Sequence, residues 1–148
     1  MGLDMYLSAE LYLSRFDKND KASKIRELFP EIKPTGNIDF TKVLFEVGYW
    51  RKSNQIHNWF VENVQDGSDD CGDYYVAREQ LEELKAICET GLKRKNEAEE
   101  ILPTKEGFFF GTTEYDEWYF KDLEHTIKVI DYCLSLPKEY TFNYHSSW

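Results

Sequence analysis

Arg51 and Lys52 immediately precede Ser53, where the strand-like stretch FTKVLFEVGYW hands over to a helix-like one. A helix start presents unpaired amides and the positive end of the helix dipole, so two cations beside it suit a phosphate or carboxylate. Asn54 and His57 extend the polar edge of this junction, and Trp50 adds a ring. GFFFGTTEYDEW repeats the plan. Gly111 permits close backbone approach, and Thr112 and Thr113 bring hydroxyls to a second helix start. Rings at Trp50, Tyr115 and Trp118 suit stacking on a base or other planar group. If the two junctions face one cleft, Trp50, Arg51, Lys52, Asn54, His57, Thr112, Thr113 and Tyr115 form a ligand-binding set that a nucleotide-like molecule satisfies. The competing account is structural, with Arg51 and Lys52 as solvated charges and the rings, Phe108 to Phe110 among them, filling the core. For the rings that account is the commoner one.

Other chemistry is less defined. His57 fits a hydrogen-bonded partner of a neighbouring helix or a proton-transfer group, since an imidazole titrates near neutrality. Cys71 becomes a nucleophile only if a base such as His57 lowers its pKa. QDGSDDCGD offers Asp66, Asp69, Asp70 and Asp73 as oxygen ligands, but without EF-hand spacing it reads first as an Asp-rich turn. No nucleophile elbow, zinc-ligand set or phosphate loop is present, so catalytic residues stay unassigned and neither a cofactor nor a metal is expected.

The elements that must position these groups follow from periodicity. Residues 3–14 alternate apolar and polar and read as a long strand. ASKIRELF has helical spacing through Ile25, Leu28 and Phe29, and Pro34, Gly36 and Asn37 mark a loop before a second strand over 39–50. Ser53 is the expected N-cap of a helix burying Ile56, Trp59, Phe60 and Val64. YYV reads as a very short strand, and a helix through Leu81, Leu84, Ile87 and Cys88 is ended or loosened by Gly91. LKRKNEAEEIL adds a turn or two of helix, and GFFFG suits a brief buried strand. A capping box from Thr113 to Asp116 opens a helix with Tyr119, Leu123, Ile127, Ile130 and Leu134 on one stripe, and a final strand carries Tyr140, Phe142 and Tyr144. With no repeat or linker to divide it, the chain is expected to form one α+β domain over 1–148: a small, mainly antiparallel sheet including both terminal strands, with about four helices against it.

The chain has 148 residues, 31% charged and 16% aromatic, enough for a single core built on rings. Its formal charge of -10 disfavours direct nucleic-acid binding and fits either plain solubility or attraction to a basic partner. Three dispersed cysteines, Cys71, Cys88 and Cys133, suit a reducing compartment. The opening MGLDMYLSAE has no basic region followed by a long apolar run, and no later stretch has membrane-span length. A soluble, cytoplasmic protein is expected.

MGLDMYL, EVGYWRKSNQIHNWFVENVQDGSDDCGDYYV, LPTKEGFFFGTTEYDEWYF and NYHSSW together resemble a family of small proteins encoded by bacteriophages and prophages. The resemblance spans nearly the whole chain and carries no catalytic residues over. It implies a phage setting, in the cytoplasm of a host bacterium, where small acidic accessory proteins often counter host defences. The leading expectation is a non-enzymatic anti-defence protein that sequesters a nucleotide-like signal or docks on a host defence protein. One alternative is a small enzyme acting on a phosphorylated or nucleotide-derived metabolite through His57 or Cys71. Another is a structural or assembly role, with a symmetric homo-oligomer formed through exposed terminal strands.

Overall fold

The computed structural model describes residues 2–14, 20–33 and 39–148. The strands β1 (Asp4–Tyr12), β2 (Lys42–Arg51), β3 (Asp73–Val76) and β4 (Tyr140–Ser147) form one antiparallel sheet in the order β2-β1-β4-β3. The helices are α1 (Asp20–Leu28), α2 (Asn54–Asn63), α3 (Arg78–Lys93), the short α4 (Ala98–Ile101) and α5 (Glu117–Ser135). The chain is therefore an α+β fold whose sheet includes both terminal strands. The loop expected at Pro34, Gly36 and Asn37 lies outside the described residues.

The alternation of β1 fixes the layering. Leu3, Met5, Leu7 and Ala9 are fully buried, while Tyr6, Ser8 and Glu10 alternate with them on the opposite, partly solvated face. α2 contributes Ile56, Trp59 and Phe60 to the core, α3 Leu81, Leu84 and Cys88, and α5 Tyr119, Leu123, Ile130 and Cys133. Phe60 and Tyr144 of β4 stack with ring centroids 3.9 Å apart, joining α2 to the middle of the sheet. β1 and β4 occupy the two central positions, so the terminal strands are not exposed edges and offer no route to edge-to-edge assembly. Each is already paired on both sides.

Three local expectations change. GFFFG is a turn and not a strand: Phe110 N donates to Gly107 O, and Phe108 is 94% exposed. The run is too short, and its glycines too permissive, to hold extended pairing. The long helix begins after Asp116 and not at Thr113, because the Asp116 carboxylate accepts from Trp118 N at 2.9 Å and Tyr119 N at 3.1 Å. Gly91 neither ends nor loosens α3. It is buried within that helix, where a Cβ would lie 2.9 Å from Leu123 Cδ2 of α5, so glycine allows the close approach of the two helices.

Candidate functional site

The two junctions meet. Leu3, just ahead of β1, donates its N–H to Phe109 O and accepts from Lys52 N at 2.8 Å, so one residue ties both loops to the sheet. Asn54, at the first position of α2, completes the clamp. Its Nδ2 donates to Phe110 O at 3.0 Å and Thr112 O at 2.8 Å, and its Oδ1 accepts from Lys105 N at 2.9 Å. An asparagine supplies a twofold donor and an acceptor in one side chain, which is what a loop that turns two carbonyls and an amide toward it requires.

The contact is close enough to constrain the backbone. Lys52 has φ 57 and Gly111 has φ 87, both in the left-handed region. A Cβ on Gly111 would lie 3.0 Å from Lys52 Cβ, so glycine is needed here for both conformation and space. Lys52 is a lysine where a glycine would fit the backbone better. Such strain is on the order of 1–2 kcal/mol, and Asp66 and Cys71 adopt the same left-handed backbone.

Between the junctions lies a cleft of about 260 Å³, with Arg51, Lys52 and Gln55 on one side and Trp118, Tyr119 and Asp122 of α5 on another. Thr104, Gly111, Thr112, Glu114 and Asp116 complete its lining. Arg51 and Lys52 are exposed and make no ion pair among the described residues. Ser53 stands at the cap position of α2, as expected, but makes no side-chain capping bond. The opposite wall is acidic. Burial pushes the Asp122 carboxyl above its ordinary range, opposed by Ser53, Gln55 and His125. Gln55 Nε2 donates to Asp122 Oδ2 at 3.4 Å, whereas the buried Ser53 hydroxyl is near Asp122 without a hydrogen bond of ordinary geometry. Trp118 is 64% exposed, with Lys121 Nζ 4.3 Å from its ring centroid.

Of the eight residues expected to bind ligand, Arg51, Lys52 and Thr112 line this cleft. Asn54 instead holds the loops together. Trp50 is 3% exposed, with its Nε1 donating to Thr126 Oγ1 at 2.9 Å, because strand alternation turns it inward while Arg51 faces out. Thr113 and Tyr115 fold back on Thr104: Thr104 Oγ1 donates to Thr113 O at 3.0 Å, and Thr104 N donates to Tyr115 Oη at 3.1 Å. His57 is 1% exposed and does not line the cleft.

His57 belongs to a separate polar array. Its Nδ1 is 2.7 Å from Tyr144 Oη and its Nε2 is 3.0 Å from Asp69 Oδ2, while Trp148 Nε1 donates to Asp69 Oδ1 at 3.0 Å. The imidazole thus pins the 65–72 loop and the C-terminal end of the sheet onto α2, with Phe110 edge-on at 5.2 Å. Its partners are strand and loop, not a neighbouring helix. Both ring nitrogens are occupied, so neither is left to activate Cys71. Cys71, Cys88 and Cys133 are free thiols, and burial pushes Cys88 and Cys133 up to about 12. In the Asp-rich turn, Asp69 serves His57 and Trp148 while Asp70 accepts from Gly72 N and Tyr74 Oη. Among the described residues no group of three or more His, Cys, Asp or Glu is arranged to hold a metal ion, and no helix is long and apolar enough to cross a membrane.

The cleft residues absent from the expected set are Gln55, Thr104, Gly111, Glu114, Asp116, Trp118, Tyr119 and Asp122, of which the sequence marks Gly111 for close approach and Trp118 for stacking. The helical pattern carried a signal for Asp122, which lies four residues after Trp118 and three after Tyr119 and so shares their face. No protein-family model, curated protein or solved structure matches the chain.

Proposed function

We propose that the cleft binds a small nucleotide-like molecule, with its phosphate at Arg51, Lys52 and Thr112 and its ring toward Trp118. The observation that carries this reading is the pair of exposed cations, without ion-pair partners among the described residues, beside a cleft whose far wall is acidic and aromatic. Phosphate satisfies the two cations. The amino edge of a base satisfies the acceptors of Asp122 and Glu114, and the indole supplies a stacking surface. A volume of about 260 Å³ lies just below the usual range of ligand pockets, about 300 to 1,000 Å³, which limits the ligand of this cleft to a molecule no larger than a mononucleotide. The resemblance to phage-encoded proteins extends this to a role: a non-enzymatic accessory protein in the host cytoplasm that withholds a nucleotide-like signal from bacterial immunity.

Calorimetry with the four 5′-mononucleotides tests the binding, using Arg51→Ala and Lys52→Gly as variants. Loss of a charge-assisted contact is expected to weaken binding roughly ten- to hundred-fold in each. In Lys52→Gly the same change relieves the left-handed strain, so thermal stability is expected to hold or rise by up to about 1 kcal/mol. Reduced binding with unreduced stability separates a ligand contact from a structural one. Equal affinity in the wild type and both variants would sink the reading.

A further inference from the structure

The cleft is not closed at its Thr112 end. Gly111 and Thr112 also line a second, broader hollow of about 590 Å³, whose other walls are Glu106, Gly107, Phe108 and Thr113. The two depressions share the Gly111–Thr112 backbone as a common wall, and a ligand that reaches into both follows a single groove across it. Its middle is polar and adjoins the Arg51 and Lys52 cations, and each arm carries an exposed aromatic side chain. Trp118 lies in the first arm and Phe108 in the second.

Phe108 requires an explanation of its own. A phenylalanine that is 94% exposed at the tip of a turn contributes almost no burial to the fold. Its one ring neighbour among the described residues is Phe109, edge-on at 4.7 Å, which leaves its faces without a stacked ring. The turn that carries it is anchored firmly from behind, by Phe109 O on Leu3 N and by Phe110 O and Lys105 N on the Asn54 side chain. The ring is thus presented to solvent from a fixed base. That combination suits a planar group arriving from outside, since ordering the ring on binding involves little loss of backbone freedom.

We propose that the groove accommodates a dinucleotide, one base on Trp118, the bridging phosphate over Gly111 and Thr112 beside Arg51 and Lys52, and the second base on Phe108. The proposal rests on the nucleotide reading of the first arm and adds a second subsite to it. Phosphate in the middle and a ring at each end match the order of chemical groups along the groove. Base stacking on an aromatic side chain tolerates any base, so the second arm adds affinity more than base selectivity.

Calorimetry with the four 5′-mononucleotides and the four matching linear 5′-phosphorylated dinucleotides tests it, on the wild type, Phe108→Ala and Phe108→Trp. The best dinucleotide is expected to bind roughly five- to hundred-fold more tightly than its mononucleotide, the range of one stacked base. Phe108→Ala is expected to abolish that advantage while leaving mononucleotide affinity unchanged, and Phe108→Trp to retain it. A dinucleotide no tighter than its mononucleotide, or an advantage that survives Phe108→Ala, overturns the second subsite and leaves the first standing. Failure of every mononucleotide and dinucleotide to bind the wild type overturns both together.

Discussion

Asp122 shows how a single residue at the cleft is set by opposing demands. Its carboxyl sits at the boundary between the apolar stripe of α5 and the cleft, where desolvation disfavours the ionised form and raises its pKa above the ordinary value. An acid whose pKa is higher in the folded chain binds more protons there than in the unfolded one between the two values. Stability from this group is therefore present at low pH and is lost as pH rises from the unfolded value through the raised folded one. Above that window the buried charge is a standing cost. Asp122→Asn removes the charge and keeps an oxygen to accept from Gln55 Nε2. The variant is expected to melt at a higher temperature than the wild type at pH 7, with the difference shrinking as the pH is lowered below the carboxylate range. Thermal melts across that series check it, and an equal or lower melting temperature at pH 7 would show that the carboxylate is held by stronger partners than Gln55. Asn54 shows the opposite case, a fully buried polar side chain whose three hydrogen bonds leave little of its capacity unmet.

At the scale of elements, the seating of α5 on β2 determines whether the cleft keeps its far wall. The two touch at Gly48, where an added Cβ would stand 2.6 Å from Val129 Cγ1 and 2.9 Å from the Trp50 ring. Trp50 is itself fixed to α5 through Thr126 and cannot turn aside without losing that bond. Gly48→Ala is expected to destabilise by about 1–3 kcal/mol despite its better strand propensity. The double variant with Val129→Ala is expected to lose less than the sum of the two single effects, since the two side chains compete for the same space while the Trp50 contact remains. Denaturant unfolding of the two single variants and the double variant measures this, and simple addition of the single effects would contradict the steric account. Much of this layer was legible beforehand. Alternation over 3–14 yielded β1, the apolar spacing through Ile56, Trp59 and Phe60 yielded the buried face of α2, and the end of the second strand, read at residue 50, falls one residue later at Arg51. The order of strands was not legible, because the alternation of β1 and β4 identifies a buried face and says nothing about which strands lie beside them. GFFFG misled because apolar character in a five-residue run does not distinguish a core strand from an anchored turn. Thr113 misled because a caps-like residue stood three positions ahead of the aspartate that makes the bonds. Trp50 was legible in principle, since an outward Arg51 requires an inward neighbour on the same strand.

For the molecule as a whole, the sign of the charge opposes that of the proposed phosphate contacts. The formal charge is -10, yet the proposed ligand is an anion and its contacts are two cations at one end of β2. The range over which charges act decides which influence a ligand meets first. At about 0.01 M salt the Debye length is about 30 Å, so an approaching phosphate experiences the acidic surface as a whole. At about 0.15 M it is about 8 Å, and the nearby Arg51 and Lys52 dominate. Association is consequently expected to accelerate with added salt, by roughly two- to ten-fold over this range, where an anion entering a basic protein would slow. Dissociation is governed by the short contacts and is expected to change less. Neutralising the exposed carboxylates Glu79, Glu82 and Glu83 of α3 by substitution with glutamine is expected to raise the low-salt rate and flatten the salt dependence. Stopped-flow association of a fluorescent mononucleotide at several salt concentrations reads both effects. A rate that falls with salt would mean that the cleft projects a positive field beyond the acidic surface, and would point to Arg51 and Lys52 as steering groups as well as contacts. A rise in rate confines them to holding a ligand that has already arrived.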